Sequence, residues 1–242
     1  MQRAVAIVVI GNEILSAKVE DSNAPWLVKE LRAVGMPVLR IVTIPDEIPV
    51  IAQTVRTCAH EFEQVITTGG VGPTLDDVTI EAVALALGRK LVVEPRLETA
   101  IRQHYGAATL PAHLKMALVP EGATLTDPPG AIWPVVDVAN VLVLPGDPSI
   151  MRRKFTSIRE RFRRTPPCLR RVYLCGDEGF VAPHLDLVHA AHPTVQLGSY
   201  PRYDGRAVEV MVTLEAADAA AVEAAVALFL RSIDPAMLVR VD

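Results

Sequence analysis

The sequence predicts an α/β domain followed by a small α+β domain, and three observations carry that expectation. Apolar runs of strand length at 4–10, 36–44 and ending at 65–66 each lead through a polar or glycine-rich turn into a segment of helical spacing. The tripeptide Thr165-Pro166-Pro167 then interrupts the pattern as a linker. Beyond it the order is strand, helix, strand, strand, helix, which suits two helices on one face of a sheet. The domains are therefore expected at 1–164 and 168–242.

Bulk properties narrow the class. With 242 residues, half of them hydrophobic, the chain can bury a substantial core. A formal net charge of -4 argues against a surface built for nucleic acid or anionic membrane. Cys58, Cys168 and Cys175 have neither CxxC nor metal-ligand spacing and read as free thiols of a reducing, cytoplasmic compartment. The N-terminal apolar run is too short to span a membrane and reads as a strand.

Residues 4–10 are continuously apolar and Val/Ile-rich, as in a parallel strand covered on both faces. Gly11, Asn12 and Glu13 follow at its carboxyl end, where open α/β sheets bind ligands; Glu13 is equally compatible with a solvated loop. Asp21, Ser22 and Asn23 supply capping groups for a helix through Trp26, Leu27 and Leu31 that ends at Gly35. The next strand ends at Pro45-Asp46, with Asp46 a natural N-cap for the helix carrying Ile48, Ile51 and Val55.

The third strand delivers the most informative stretch, TTGGVGPTLDDVTIEAV at 67–83. Gly69, Gly70 and Gly72 permit backbone geometries and ligand approach that a Cβ would forbid. Thr74 and Asp77 fit the [ST]-x-x-[DE] signal of a helix start, and a helix N-terminus attracts anions. Asp76 and Asp77 together would repel a phosphate unless a divalent cation lay between them. An ordinary strand-to-helix turn is the competing reading.

Further on, 91–93 reads as a strand, 95–105 as a helix, 121–125 as a turn, and 131–136 and 140–144 as strands. The last runs into Pro145-Gly146-Asp147-Pro148-Ser149, a rigid loop suited to a pocket wall, with Pro148 or Ser149 opening a helix. The basic residues from Arg152 to Arg171, Lys154 among them, read as the solvated face of that amphipathic helix rather than a nucleic-acid platform. His184, His189 and His192 lack a metal-site pattern and read as surface or interface residues. In the second domain strands are expected at 171–175, 194–200 and 207–214, helices at 180–190 and 218–231, and a turn at 203–205.

Taken together and in order, GNEIL at 11–15, Asp21-Ser22-Asn23, Pro45-Asp46, the 67–83 stretch and LPGDPS at 144–149 resemble the molybdopterin-binding domain family of Mog, MoaB, gephyrin and MoeA. The closer likeness is to the N-terminal part of competence/damage-inducible protein A (CinA) and of eukaryotic FAD synthase. LGSYP at 197–201, preceded by Asp177-Glu178 and Ala182-Pro183, is similar to the small domain that follows in those proteins.

The resemblance implies a three-layer α/β molybdopterin-binding-type domain with a small α+β C-terminal domain, in a homo-oligomer. It implies chemistry at a phosphoanhydride linked to adenylate: adenylyl transfer in Mog-like members, metal-dependent pyrophosphatase activity on ADP-ribose or FAD in CinA-like and FAD-synthase-like members. By the same resemblance Asp46 and Asp77 serve catalysis and hold a divalent Mg, Mn or Co. Gly11, Glu13, Asn23, Thr68, Gly69, Gly70, Gly72, Thr74 and Asp76, with Pro145, Gly146, Pro148 and Ser149, surround a nucleotide or pterin ligand. The alternative is a molybdopterin- or nucleotide-binding module with little or no catalysis; an interaction protein using the basic helix is a third reading. The deamidase domain of longer CinA proteins has no counterpart in this sequence, so that activity is not expected. Two departures from the family pattern fall at the expected pocket wall: Asp127 to Pro134 replaces an Asn-Pro-x-Gly-x-Ala-Pro-Gly loop, and Asp147 replaces an apolar residue.

Overall fold

The computed structural model describes residues 1–127, 133–203 and 208–242. The chain is divided into two compact units, Met1–Arg164 and Thr165–Asp242.

In the first unit the elements follow one another as β1 (Gln2–Ile10), α1 (Asn12–Leu15), α2 (Asn23–Ala33), β2 (Val38–Ile44), α3 (Ile48–Glu61), β3 (Phe62–Thr68) and α4 (Thr79–Ala86). A smaller group comes next: β4 (Leu91–Val93), α5 (Pro95–Tyr105), α6 (Pro111–Lys115), β5 (Leu118–Pro120) and β6 (Thr124–Thr126). The unit closes with β7 (Val135–Val138), β8 (Val141–Leu144) and α7 (Pro148–Ile158).

The main sheet has the order β2-β1-β3-β8-β7-β6, with β2, β1, β3 and β8 parallel. The continuous apolar run of β1 is used on both faces. Ala4, Ala6, Val8 and Ile10 pack with Ile51 and Val55 of α3 and Ala82 and Val83 of α4. Val5, Ile7 and Val9 pack with Leu27 and Leu31 of α2 and Met151 and Phe155 of α7. The result is three layers, helix, sheet and helix. Ile51, Val55 and Leu27 are fully buried, each worth roughly 1.5–3 kcal/mol of transfer from water.

The order turns back beside β1, whose neighbours are β2 on one side and β3 on the other. Such a switch point opens a crevice at the carboxyl ends of the strands. The register fixes which residues meet there: Ile10 stands beside Ile44, Val9 beside Thr68, and Thr68 beside Leu144. Four loops leave one row of the sheet.

In the second unit β9 (Cys168–Cys175), α8 (Glu178–Ala191), β10 (Gln196–Tyr203), β11 (Val208–Ala216), α9 (Ala219–Ser232) and β12 (Leu238–Val241) form an antiparallel sheet of order β10-β11-β9-β12. Val172, Leu174, Val210, Val212 and Leu214 bury one face against Val181 and Val188 of α8 and Val222 and Phe229 of α9.

Several local expectations are corrected. The segment 121–125, read as a turn, already contains the first residues of β6. The strand placed at 131–136 begins at Val135 in its described part, and residues 131–132 lie outside the described residues, as do residues 204–205 of the turn placed at 203–205. The fourth strand of the second sheet, β12, was not anticipated: four residues after Pro235 carry too short a pattern to stand out, and pairing with β9 is what orders them.

Candidate functional site

The cavity lies at the carboxyl ends of β1, β2, β3 and β8, with a volume of about 570 Å³. Of the residues singled out in the sequence, Glu13, Asp46, Gly69, Gly70, Gly72, Asp76, Asp77, Pro145 and Gly146 line it. Gly11, Asn23, Thr68, Thr74, Pro148 and Ser149 do not, and most of them hold the wall from behind.

Asn23 opens α2 and is buried, its Nδ2 donating to Thr68 Oγ1 at 3.0 Å and to the Gly146 carbonyl at 2.8 Å. Thr68 Oγ1 in turn donates to the Pro145 carbonyl at 3.0 Å. One amide and one hydroxyl thus tie α2, the end of β3 and the 145–147 loop together. Pro148 and Ser149 form the first turn of α7, which Asp147 caps by accepting from Ile150 N at 2.9 Å and Ser149 Oγ at 2.6 Å. The Ser149 hydroxyl, with Ile150 N–H behind it, holds the Asp147 carboxyl below its ordinary range. The departure from an apolar residue at 147 therefore has a local cause: it caps a helix.

Two capping assignments are overturned. Asp46 does not cap α3; Glu47 occupies that position, and Asp46 Oδ2 instead accepts from Asn12 N at 2.7 Å. The carboxylate is drawn across to the loop after β1, where the helical N–H of Asn12 awaits an acceptor. Nor do Thr74 and Asp77 start a helix. The helix α4 starts at Thr79, whose hydroxyl donates to the Gly69 carbonyl at 2.8 Å and whose N–H donates to the Gly70 carbonyl at 3.0 Å. Residues 70–78 are closed into a loop by those two bonds. Inside it Asp77 Oδ2 accepts from Thr74 N at 2.8 Å and Thr74 Oγ1 at 2.6 Å, a local carboxylate–backbone bond of the kind that competes with helix. Thr74 Oγ1 also reaches Asp76 Oδ1 and is the main cause of that carboxyl titrating below its ordinary range.

Backbone chemistry completes this wall. Gly69, at φ +107°, lies where a Cβ would sit 2.0 Å from the Ile10 carbonyl, so the loop crosses β1 at a distance only glycine permits. Among the described residues the N–H groups of Gly70, Val71 and Gly72 have no acceptor in the protein, and all three residues line the cavity. The remaining wall is largely apolar, including Leu97, Met116, Leu118, Val136 and Trp133. Trp133 stacks with Tyr105 at 6.5 Å between ring centroids and meets His104 edge-on.

Sequence reasoning missed two lysines. Lys115 reaches the loop from α6, its Nζ donating to the Thr74 carbonyl at 2.8 Å. Lys154 of α7, read as solvated, is buried and lines the cavity. The signal that distinguishes Lys154 is its spacing from Met151, Phe155 and Ile158, which puts it on the buried side of α7. Of the other basic residues, Arg159, Arg161, Arg163, Arg164 and Arg170 lie beyond the end of α7 and pair with Glu30, the buried Asp137, Glu160, Glu63 and Glu223, so the basic run is not one solvated helix face.

Among the described residues no group of three or more His, Cys, Asp or Glu is arranged to hold a metal on protein ligands alone. A hard cation held by one or two carboxylates and by its substrate's phosphate oxygens asks for less. Asp46 and Asp77 each have one oxygen, Oδ1, with no hydrogen-bond partner among the described residues, and as hard oxygen donors they suit such an ion.

Residues 6–164 match the family model described as a probable molybdopterin binding domain. The chain belongs to that family. Residues 166–242 match the model of the FAD synthase middle domain, so the molybdopterin-binding-type domain is followed by a module shared with that enzyme's family. A protein of Archaeoglobus fulgidus is 36% identical over 196 residues, covering 81% of this chain and 85% of its own length. A CinA-like protein of Thermotoga neapolitana is 38% identical over 176 residues, 70% of this chain but 43% of its own length. The chain thus spans under half the length of that relative. Among solved structures, the CinA protein of unknown function from Thermoplasma acidophilum is 28% identical with a TM-score of 0.61, covering 66% of this chain and 98% of its own. Among the described residues no helix is long and apolar enough to cross a membrane.

Proposed function

We propose that the strand-end cavity binds an adenylate-containing dinucleotide such as ADP-ribose or FAD and hydrolyses its pyrophosphate with the help of a divalent cation. The observation that carries this reading is the pairing of the acceptor-free N–H groups of Gly70, Val71 and Gly72 with the carboxylates Asp46 and Asp77 on one wall. Consecutive backbone N–H groups in a glycine-rich turn suit non-bridging phosphate oxygens. When bound, a divalent cation would neutralise phosphate charge and supply an activated water. Asp46 and Asp77 would hold it; Thr74 keeps Asp77 in place, and the Asn12 N–H keeps Asp46 in place. The apolar part of the cavity, with Trp133, suits a planar ring. Support also comes from relatives, one of them named as a probable FAD synthase in Caenorhabditis briggsae, 28% identical over 92% of this chain and 48% of its own length.

The deciding experiment incubates the purified protein with ADP-ribose, FAD and related dinucleotides under Mg²⁺, Mn²⁺ or Co²⁺ and measures release of AMP. Hydrolysis that needs the metal and is lost in Asp46→Ala and Asp77→Ala is the expected result. No turnover of any substrate overturns the catalytic reading; binding of a pterin or nucleotide without turnover favours a binding module, for which the family's description as molybdopterin binding already speaks.

A further inference from the structure

Lys154 is 7% exposed, yet no carboxylate lies within ion-pair distance of it among the described residues. Its Nζ donates to the carbonyl of Pro134 at 2.9 Å. An ammonium has three donors, and the other two have no partner among the described residues. After burial, the like charge of Arg153 is what further disfavours its protonated form. A buried ammonium without a counter-ion is costly, and buried charges are ordinarily paired. Lys154 also lines the cavity beside Gly146, Ile150 and Trp133. The cavity wall carries six carboxylates against two lysines, and the other lysine, Lys115, is only half-buried and has one donor on the Thr74 carbonyl of the acidic loop.

A structural role explains one of the three donors, the bond to Pro134, and leaves the charge unexplained; a long neutral donor such as glutamine supplies an N–H without it. The missing counter-ion is supplied if an anion enters the cavity. We propose that Lys154 is the residue that receives a phosphate oxygen of the bound ligand, through the two Nζ–H donors that Pro134 leaves free. This rests on reading the cavity as a site for a phosphate-bearing ligand, and deepens it by dividing the labour. The 69–78 loop brings its N–H groups and acids to the phosphates from the β3 side. Lys154 approaches from α7, and its point charge offsets anionic charge on that wall without a metal. Burial pushes its pKa down to about 8, so it stays largely protonated at neutral pH and ready for an anion.

The test reads binding, so it does not depend on turnover. AMP and adenosine, and FMN and riboflavin, form pairs that differ by one phosphate; each is titrated calorimetrically with EDTA present into wild type, Lys154→Gln and Lys154→Arg. Lys154→Gln keeps a donor for Pro134 but no charge. The expected result is a loss of about tenfold or more in affinity for AMP and FMN, from a charged hydrogen bond worth about 1.5–3 kcal/mol, with adenosine and riboflavin unchanged. Lys154→Arg restores much of the loss. Equal weakening within each pair overturns the proposal in favour of a packing role, as does unchanged AMP and FMN affinity in Lys154→Gln, or a wild type that binds neither phosphate ligand. Should Lys154→Gln fail to fold, wild type decides: AMP but not adenosine protects Lys154 from acetylation by an amine reagent, read by mass spectrometry, and equal protection by both overturns the proposal. A protein that binds AMP through Lys154 yet hydrolyses nothing separates the failure of the pyrophosphatase reading from failure of this one.

Discussion

Asn23 Nδ2 lies 3.0 Å from Thr68 Oγ1, a buried hydrogen bond joining residues 45 positions apart. The same amide donates to Gly146, so a single side chain sets the spacing of two cavity loops. Replacing it removes the donor from the buried Thr68 Oγ1, which keeps only its bond to the Pro145 carbonyl, and unties the Gly146 carbonyl from α2. Asn23→Ala is expected to lower stability by about 1–3 kcal/mol, read as a shift of the urea midpoint with unchanged slope. Asp21→Ala removes only local bonds to Asn23 N and Ala24 N, and should cost about 1 kcal/mol. Equal effects of the two would deny Asn23 its bridging role.

Thr74 sets the state of the acidic pair. Its hydroxyl is the first cause of the depressed Asp76 carboxyl and also donates to Asp77. Thr74→Val keeps the Thr74 N bond to Asp77 and removes the hydroxyl. The Asp76 carboxyl should then titrate closer to the ordinary carboxylate range, seen by carbon-detected NMR. If the proposed hydrolysis holds, kcat should fall about tenfold, against a hundredfold or more for Asp77→Ala, since the one loosens a positioned carboxylate and the other deletes it. An unmoved Asp76 titration would show that the hydroxyl bond does not persist in solution.

Gly69 and Gly72 are a pair of glycines with opposite consequences. A Cβ on Gly69 would meet the Ile10 carbonyl, backbone of the central strand, at 2.0 Å and φ +107°. Neither atom can yield, and Gly69→Ala should destabilise by about 3 kcal/mol or more. A Cβ on Gly72 meets Asp77 Oδ2 at 2.7 Å, the end of a side chain. Gly72→Ala should leave the thermal midpoint within about 2 °C, a change of about 1 kcal/mol or less, while displacing Asp77 and weakening nucleotide binding. Similar melting of the two variants would contradict this division.

The same residues show what local sequence can and cannot reveal. The run 4–10 announced a strand buried on both faces, and alternate residues do pack into two separate clusters. Glu13, Asp46, Asp76 and Asp77 each follow a strand, and one sheet edge brings them to one cavity. What failed was the assignment of partners. Asp46 and Asp77 have the local signature of helix caps, but Asn12 and Thr74 take them instead; the first of these bonds crosses between strands, and no local window contains it. Lys154 sat in a run of arginines that masked its place on the inner side of α7. Charge patterning describes a segment, whereas burial belongs to one face of it.

Lys154 also makes stability depend on pH in a direction opposite to that of most lysines. Burial lowers its pKa from an ordinary 10.5 to about 8 in the folded protein. Below pH 8 both states carry the proton, and folding bears the full cost of burying the charge. Between pH 8 and 10.5 the unfolded chain holds more protons than the folded one, so the stability contributed by this residue rises with pH. Above 10.5 neither state carries the proton and the cost is gone. The span corresponds to roughly 3 kcal/mol, at about 1.4 kcal/mol for each step of one in pKa. Lys154→Met should therefore flatten a rise in urea stability that wild type shows between pH 8 and 10. The difference between the two proteins should shift toward wild type by up to roughly 2 kcal/mol across that interval. Parallel pH profiles for wild type and Lys154→Met would mean that the ammonium is solvated through the cavity and that its burial carries no such cost.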